Sequence, residues 1–227
     1  MLDVLYGASV WILPVILAVT LHEAAHGYVA WRLGDDTAHR AGRVSFNPAK
    51  HVDPIGTILL PALLFLTKAP FLFGWAKPVP VNFAGLGHPR RDMVWVAAAG
   101  PAVNLALAFA SALLLHVAAI LPTGFDVWVK DNLFRSVLIN VVLAVFNMLP
   151  LPPLDGGRMA VGVLPRRLAL PLARLERWGL FIIVGALLIL PTVGRQVGLD
   201  LDIFGWLMET PVELIIDAIA LMAGLDV

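Results

Sequence analysis

The chain has 227 residues, of which 59% are hydrophobic and 14% charged, and its formal net charge is zero at pH 7. Soluble globular domains have about 45–50% apolar and about 25% charged residues, so this composition excludes an ordinary soluble domain and predicts a polytopic membrane protein. The balanced charge gives no signal for a nucleic-acid partner, and the absence of cysteine excludes disulfides and thiolate metal ligands.

Five apolar segments are long enough, or nearly so, to span the membrane, which takes about 20 helical residues. In chain order they cover residues 8–31, 93–121, 133–150, 178–192 and 203–224. A sixth segment, 54–74, is interrupted by prolines and a lysine, and we predict that it is re-entrant or interfacial. The sequence therefore predicts an all-α polytopic membrane protein with about five transmembrane helices. We expect one domain over residues 1–227, with a core at 8–165 and additional C-terminal helices at 178–192 and 203–224.

The placement of lysine and arginine predicts the orientation, because cytoplasmic loops are enriched in these residues. Twelve of the sixteen basic residues fall in three connections: after the first span, before the second, and after the third. All three connections are cytoplasmic if segment 54–74 returns to the side from which it enters. This predicts a multi-pass protein of the cell membrane with an outside N-terminus, five crossings and an inside C-terminus.

Two histidines and a glutamate lie inside the first apolar segment, in the motif HEAAH at residues 22–26. On a helix, His22 and His26 are four residues apart and lie on one face. Both imidazoles can bind one zinc ion, and the adjacent Glu23 can act as general base on a water molecule. Three ionisable groups among five membrane residues are costly, so a functional site is favoured over the alternative of two structural histidines bonded to neighbouring helices.

A catalytic zinc ion needs a third protein ligand, and Asp155 is the best candidate. It follows a proline-rich break in the third span and precedes Gly156 and Gly157. Non-helical backbone at membrane depth is tolerated only where it lines a cavity, and the predicted topology puts this segment and HEAAH in the same, cytoplasmic half of the membrane. The alternative is that Asp155 only caps the helix that begins at Gly156.

Three motifs together resemble the site-2 protease family of intramembrane zinc metalloproteases: HEAAHG, AAGPAVN at 98–104 and NMLPLPPLDGG at 147–157. The resemblance implies that His22, His26 and Asp155 bind one Zn²⁺ ion per chain and that Glu23 is the catalytic base. It also implies that Asn147 lies near the active site and bonds the substrate carbonyl or oxyanion. The chain is similar to a compact prokaryotic branch of the family, without a PDZ or CBS domain.

The second of these motifs allows two interpretations. The resemblance implies that Gly100, Pro101 and Asn104 belong to a close-packed helix behind the active site. Taken alone, Gly100 and Pro101 indicate a helix start and close packing, and Asn104 indicates a hydrogen bond between helices.

The resemblance implies a membrane-protein substrate, cleaved within or near a transmembrane segment in the lipid bilayer, as in regulated intramembrane proteolysis. A helical substrate hides its carbonyl groups, so it must unwind locally, and an exposed strand edge can hold the unwound part. The segments RVSF at 43–46 and PVPVN at 78–82 are candidate short membrane-associated strands, with ordinary loop as the alternative.

Two other function classes compete with a protease. A metal-binding transporter is expected to have repeated half-units and polar residues in several spans, whereas here the polar residues converge on one site and no repeat is seen. A catalytically inactive membrane scaffold has no need for Glu23 beside the metal ligands. The variant Glu23→Gln separates these classes, because a protease should keep its zinc and lose all cleavage.

Overall fold

The computed structural model describes residues 2–66, 74–118 and 120–225. Within this part of the chain the regular structure is helical and no β-strand occurs, which confirms the predicted all-α class. The helices are α1 (Leu2–Arg32), α2 (Thr37–Arg40), α3 (Leu60–Leu66), α4 (Pro89–Ala118), α5 (Phe125–Asn147), α6 (Asp155–Val163), α7 (Arg166–Arg174), α8 (Glu176–Val184), α9 (Leu190–Gln196) and α10 (Ile203–Ala223). A π-helical turn, Pro54–Leu59, precedes α3, and a second, Gly185–Ile189, joins α8 to α9.

Three helical stretches in the described residues are long and apolar enough to cross a membrane. They are Leu5–Arg32, Pro89–Ala118 and Glu176–Gln196, and they correspond to the predicted spans at 8–31, 93–121 and 178–192. The other two predicted spans also form helices, α5 and α10. Neither is among the three stretches that are long and apolar enough, so the number of five crossings stays a prediction.

The segment predicted to be re-entrant, 54–74, begins as a helix, and only part of it belongs to the described residues. Asp53 starts it, because its Oδ1 accepts hydrogen bonds from Ile55 N and Gly56 N at 3.0 and 2.7 Å. The helical part, Pro54–Leu64, is apolar but shorter than a membrane span. Residues 67–73 lie outside the described part of the chain.

The two candidate strands, 43–46 and 78–82, are irregular in the structure. A sheet ladder needs backbone donors, and Pro78 and Pro80 have none. We call residues 75–82 the strap, because this extended segment lies along the end of α1.

Other hydrogen bonds hold the strap where a sheet ladder would have done so. The backbone N–H of Lys77 donates to His51 O at 2.9 Å. The buried guanidinium of Arg43 donates from Nη2 to Lys77 O at 2.6 Å. The strap therefore has fixed partners without belonging to a sheet.

Helix α4 lies at the centre of the bundle and packs against α1, α5, α6 and α10. Its contact with α5 and α10 is built from small or β-branched side chains, including Ala108, Ala112, Val137, Val141 and Ile219. Small residues let helix backbones approach closely in membrane bundles. This close approach brings the polar groups of α4 within bonding distance of α1 and α5.

The end of α1 is fixed by Gly34 and Asp35. Gly34 has a φ of 112°, which only glycine adopts readily, and it directly follows the last turn of α1. Asp35 is 3% exposed, and its carboxylate accepts hydrogen bonds from Thr37 N at 3.0 Å and from Asn82 N at 2.7 Å. Asp35 therefore fastens the strap to the end of α1.

We expect Asp35→Ala to destabilise the protein by roughly 1–3 kcal/mol, because it leaves two N–H groups without their acceptor. The neighbouring variant Asp36→Ala is the matched control. Its side chain is 45% exposed and pairs with Arg40, so its loss should cost about 0–1 kcal/mol. Thermal unfolding in detergent measures both, and equal melting temperatures for the two variants would contradict the anchoring role of Asp35.

Candidate metal centre

Side chains from two distant parts of the chain converge between α1 and α6. His22 Nε2 and His26 Nε2 are 3.1 Å apart. Asp155 Oδ2 lies 3.2 Å from the first nitrogen and 3.3 Å from the second. These side chains are only 6–12% exposed, so the structure brings the three predicted metal ligands together in a buried cluster.

The outer nitrogen of each ring determines what the inner nitrogen presents to this cluster. His26 Nδ1 lies 2.7 Å from Val96 O. A carbonyl oxygen can only accept, so in the neutral ring Nδ1 carries the proton and Nε2 carries a lone pair. His22 Nδ1 lies 2.6 Å from Asn104 Oδ1 and donates in the same way.

The carboxylate adds a third acceptor to the cluster. Asp155 Oδ2 is buried and has no hydrogen-bond partner. Two ring lone pairs and one carboxylate oxygen therefore face one another with no proton between them when the rings are neutral. A cation satisfies this arrangement, because each of the three atoms can become its ligand.

The chemistry and spacing of these donors fit zinc. Imidazole nitrogen and carboxylate oxygen are common zinc ligands, and three protein ligands with an open position are typical of catalytic sites. Ligand atoms about 2.0–2.1 Å from a tetrahedral zinc ion lie roughly 3.3–3.4 Å from one another. The three distances in the cluster, 3.1 to 3.3 Å, are close to that spacing.

Asp155 is presented by a tight turn, not by a capping role. Helix α6 begins at Asp155 itself, and the capping residue before it is Leu154, which makes no side-chain cap. A Cβ at Gly156 would overlap Met148 O, and one at Gly157 would overlap Pro152 N. The paired glycines are therefore needed because the turn of residues 148–154 folds back onto the first turn of α6.

Helix α8 closes the other side of this turn. A Cβ at Gly179 would overlap Pro152 O and Pro153 Cδ. Pro152 is among the most buried side chains of the described residues. Gly179 was not expected from the sequence, because a single glycine in an apolar helix gives no signal of its role.

One face of α4 is fitted to the histidines at intervals of four residues. Val96 supplies the carbonyl for His26, and Asn104 supplies the amide oxygen for His22. Between them, a Cβ at Gly100 would lie 2.5 Å from His22 Cε1 and from His26 Nε2. The motif AAGPAVN thus leaves space for two rings and binds their outer nitrogens.

Glu23 is held by the strap. Its Oε2 accepts a hydrogen bond from Val79 N at 2.8 Å. Val79 is the only donor of the run Pro78–Pro80, because proline has no backbone N–H. The Val79 side chain packs over Gly27, where a Cβ would lie 3.1 Å from Val79 Cγ1, so the glycine after HEAAH makes room for the strap.

Asn147 is the last residue of α5. Its Nδ2 donates to Leu143 O of the same helix at 2.9 Å, and the structure gives no hydrogen bond from it to the cluster. Its catalytic role stays a prediction.

Sequence reasoning did not single out Val79 or Asn140. Asn140 is an isolated amide in the apolar run LINVVLAVF, and an intramembrane polar residue of this kind is a signal that could have identified it.

We expect Gly100→Ala to abolish or sharply reduce zinc binding, because its Cβ would occupy the space of both imidazole rings. Alanine favours helix over glycine by about 1 kcal/mol, so a weaker α4 could not explain the loss. Gly7→Ala is the control, since nothing lies within 4 Å of an added Cβ there. Metal content of the detergent-purified variants measures the effect, and full zinc occupancy in Gly100→Ala would rule out the close fit described above.

Comparison with known proteins gives one family. Residues 124–190 match the model of peptidase family M50. “Putative zinc metalloprotease YwhC” of Bacillus subtilis is 39% identical over 192 residues, which are 79% of this chain and 80% of that protein.

“Putative zinc metalloprotease Rip2” of Mycolicibacterium smegmatis is 32% identical over 79% of this chain and 66% of its own length. The Rip2 protein of Mycobacterium tuberculosis is 31% identical over 62% of this chain and 52% of its own length. No solved structure matches the chain. The similarity to YwhC spans most of both proteins, and the chain belongs to peptidase family M50, the site-2 protease family.

Proposed function

We propose that this protein is an intramembrane zinc-dependent endopeptidase that cleaves membrane proteins within or near a transmembrane segment. The observation that carries the proposal is the buried cluster of His22, His26 and Asp155 beside Glu23. Membership of a peptidase family and the names of the relatives agree with it. No observation favours a transporter or an inactive scaffold.

His22, His26 and Asp155 would hold the zinc ion. A zinc ion in such a site acidifies a water molecule and polarises a peptide carbonyl. The chain's own part is to keep the two rings and the carboxylate at fixed spacing, which α4 and the proline turn do. Burial of the cluster keeps bulk water away and strengthens every charge interaction there.

Glu23 is the proposed general base. It takes the proton of the attacking water and returns it to the leaving amine. Val79 N–H occupies Oε2, which orients the carboxylate and leaves Oε1 as the oxygen for proton transfer. The strap is therefore the element that positions Glu23.

Asn147 is the proposed contact to the substrate carbonyl or oxyanion. It ends α5 directly before the turn that presents Asp155. One amide hydrogen is used by Leu143 O, and an amide nitrogen carries two. The second hydrogen remains for a substrate oxygen.

We also propose a single domain with five crossings, an outside N-terminus and an active site toward the cytoplasm, with segment 54–74 returning to the cytoplasmic side. The charged residues at the start of α5 do not oppose a crossing, because each has a partner. Lys130 binds Asp126 at 3.0 Å, Asp131 accepts a hydrogen bond from Tyr6 at 2.7 Å, and Arg135 lies over the Trp11 ring.

The first test of the function needs no knowledge of the substrate. We expect about one zinc ion per purified chain, and sharply reduced zinc in His22→Ala and in Asp155→Ala, because each loses one of three protein ligands. Glu23→Gln should retain zinc and lose cleavage of single-span membrane proteins co-reconstituted with the chain. Undiminished cleavage by Glu23→Gln would refute the mechanism, and a parent chain without zinc after metal reloading would refute the metal site.

We expect Val79→Pro to slow cleavage by up to roughly 100-fold, because a misplaced catalytic group costs about that much. Its zinc content should stay unchanged, since the N–H that is lost bonds Glu23, which is not one of the three proposed ligands. Val81→Pro is the matched control, as it adds a proline to the same strap and leaves the Val79 donor in place. Equal rates in the two variants would show that the Val79 bond does not position Glu23.

A further inference from the structure

A chain of buried amide side chains leads from the metal centre into the bundle. His22 Nδ1 lies 2.6 Å from Asn104 Oδ1, and Asn104 Nδ2 lies 2.8 Å from Asn140 Oδ1. Asn140 Nδ2 lies 2.9 Å from Ser136 O. Asn104 is 0% and Asn140 1% exposed, so water does not replace any of these partners.

Two backbone carbonyls fix which end of each amide is the nitrogen in this series of hydrogen bonds. Asn104 Nδ2 lies 3.3 Å from Ala18 O, and a carbonyl only accepts, so the nitrogen end of Asn104 points there. Asn140 Nδ2 is fixed by Ser136 O in the same way. Neither amide can turn over without placing an oxygen against a carbonyl oxygen.

The orientation of the two amides determines which ring nitrogen of neutral His22 carries the proton. Because Asn140 presents its oxygen to Asn104, the nitrogen of Asn104 is used there, and its oxygen faces His22. An oxygen acceptor requires a proton on His22 Nδ1. The neutral ring therefore has its lone pair on Nε2, the atom that faces His26 and Asp155.

We propose that Asn104 and Asn140 are positioning residues for zinc, which act through His22 by fixing its tautomer and ring orientation. This inference rests on the proposed zinc ligation by His22. A neutral imidazole without this partner can carry its proton on Nε2, where it blocks ligation. His26 needs no such side chain, because its outer nitrogen donates to the backbone at Val96 O.

Asn132 shows what an asparagine with only a structural role looks like in the same helix. It is 8% exposed, lies on α5 like Asn140, and its Nδ2 donates to Trp128 O at 2.9 Å. It makes no hydrogen bond to Asn104, Asn140 or His22. The variant Asn132→Leu therefore matches Asn140→Leu in residue type, helix and burial, and differs in the link to zinc.

The test is competition between the zinc-loaded full chain in detergent and a chelator of known affinity. We expect Asn104→Leu to weaken zinc binding about 10–100-fold, the usual effect of losing a partner of a metal-bound histidine. Asn140→Leu should weaken it less, because Asn104 keeps Ala18 O as a guide. Asn132→Leu should leave the affinity unchanged.

A direct readout of the tautomer accompanies the affinities. In the zinc-free parent, nitrogen NMR should show His22 protonated at Nδ1, and in Asn104→Leu the proton should move to Nε2. Thermal unfolding separates lost folding from lost positioning. If Asn104→Leu does not fold, the comparison of Asn140→Leu with Asn132→Leu decides.

The outcomes separate this inference from the function on which it rests. Zinc that is held by the parent and lost in His22→Ala, but unaffected by Asn104→Leu and Asn140→Leu, overturns the positioning role alone. Equal losses in Asn140→Leu and Asn132→Leu overturn it as well. A parent chain that binds no zinc overturns the proposed function together with this inference.

Discussion

The structure depends on one constraint: two ring nitrogens and a carboxylate oxygen face one another inside an apolar helix bundle. Because these side chains are only 6–12% exposed, the surrounding chain must supply partners for the outer nitrogens of both rings. Helix α4 does this with three positions four residues apart. Val96 offers a carbonyl, Gly100 offers space, and Asn104 offers an amide oxygen. A single helix face thereby orients two ligands that the neighbouring helix supplies.

The second half of the site comes from backbone that is not helical. The turn of residues 148–154 delivers Asp155, and the strap delivers the Val79 donor to Glu23. In both segments prolines remove backbone donors, so few N–H groups need partners beside the buried site. The donors that remain have specific roles, which explains how irregular segments can lie beside a buried site at low cost.

The sequence was sufficient for the helical class and for the meeting of HEAAH with Asp155, because both follow from local pattern and ligand chemistry. It left 43–46 and 78–82 open between short strand and ordinary loop, and it did not predict that the second segment, with Pro78 and Pro80, forms a strap bound to Glu23. The sequence allowed two roles for Asn104, a hydrogen bond between helices and a place behind the active site. The structure shows both, since its amide bonds Ala18 O, Asn140 and His22. Such contacts depend on which helices become neighbours, and periodicity along one helix carries no information about that. Gly179 was missed for the same reason.

The contact of Gly179 with the proline turn limits where the protein can be truncated without disturbing the site. Helix α8 follows the three motifs in the sequence and resembles a simple membrane anchor, yet its backbone packs directly against the turn that carries Asp155. A chain ending after α6 would keep every side chain proposed to touch zinc and would lose the surface against which one of them is held. The part of the chain needed for the site therefore extends to Gly179 in α8. A graft of this site onto another helical scaffold must include the α8 backbone around this glycine.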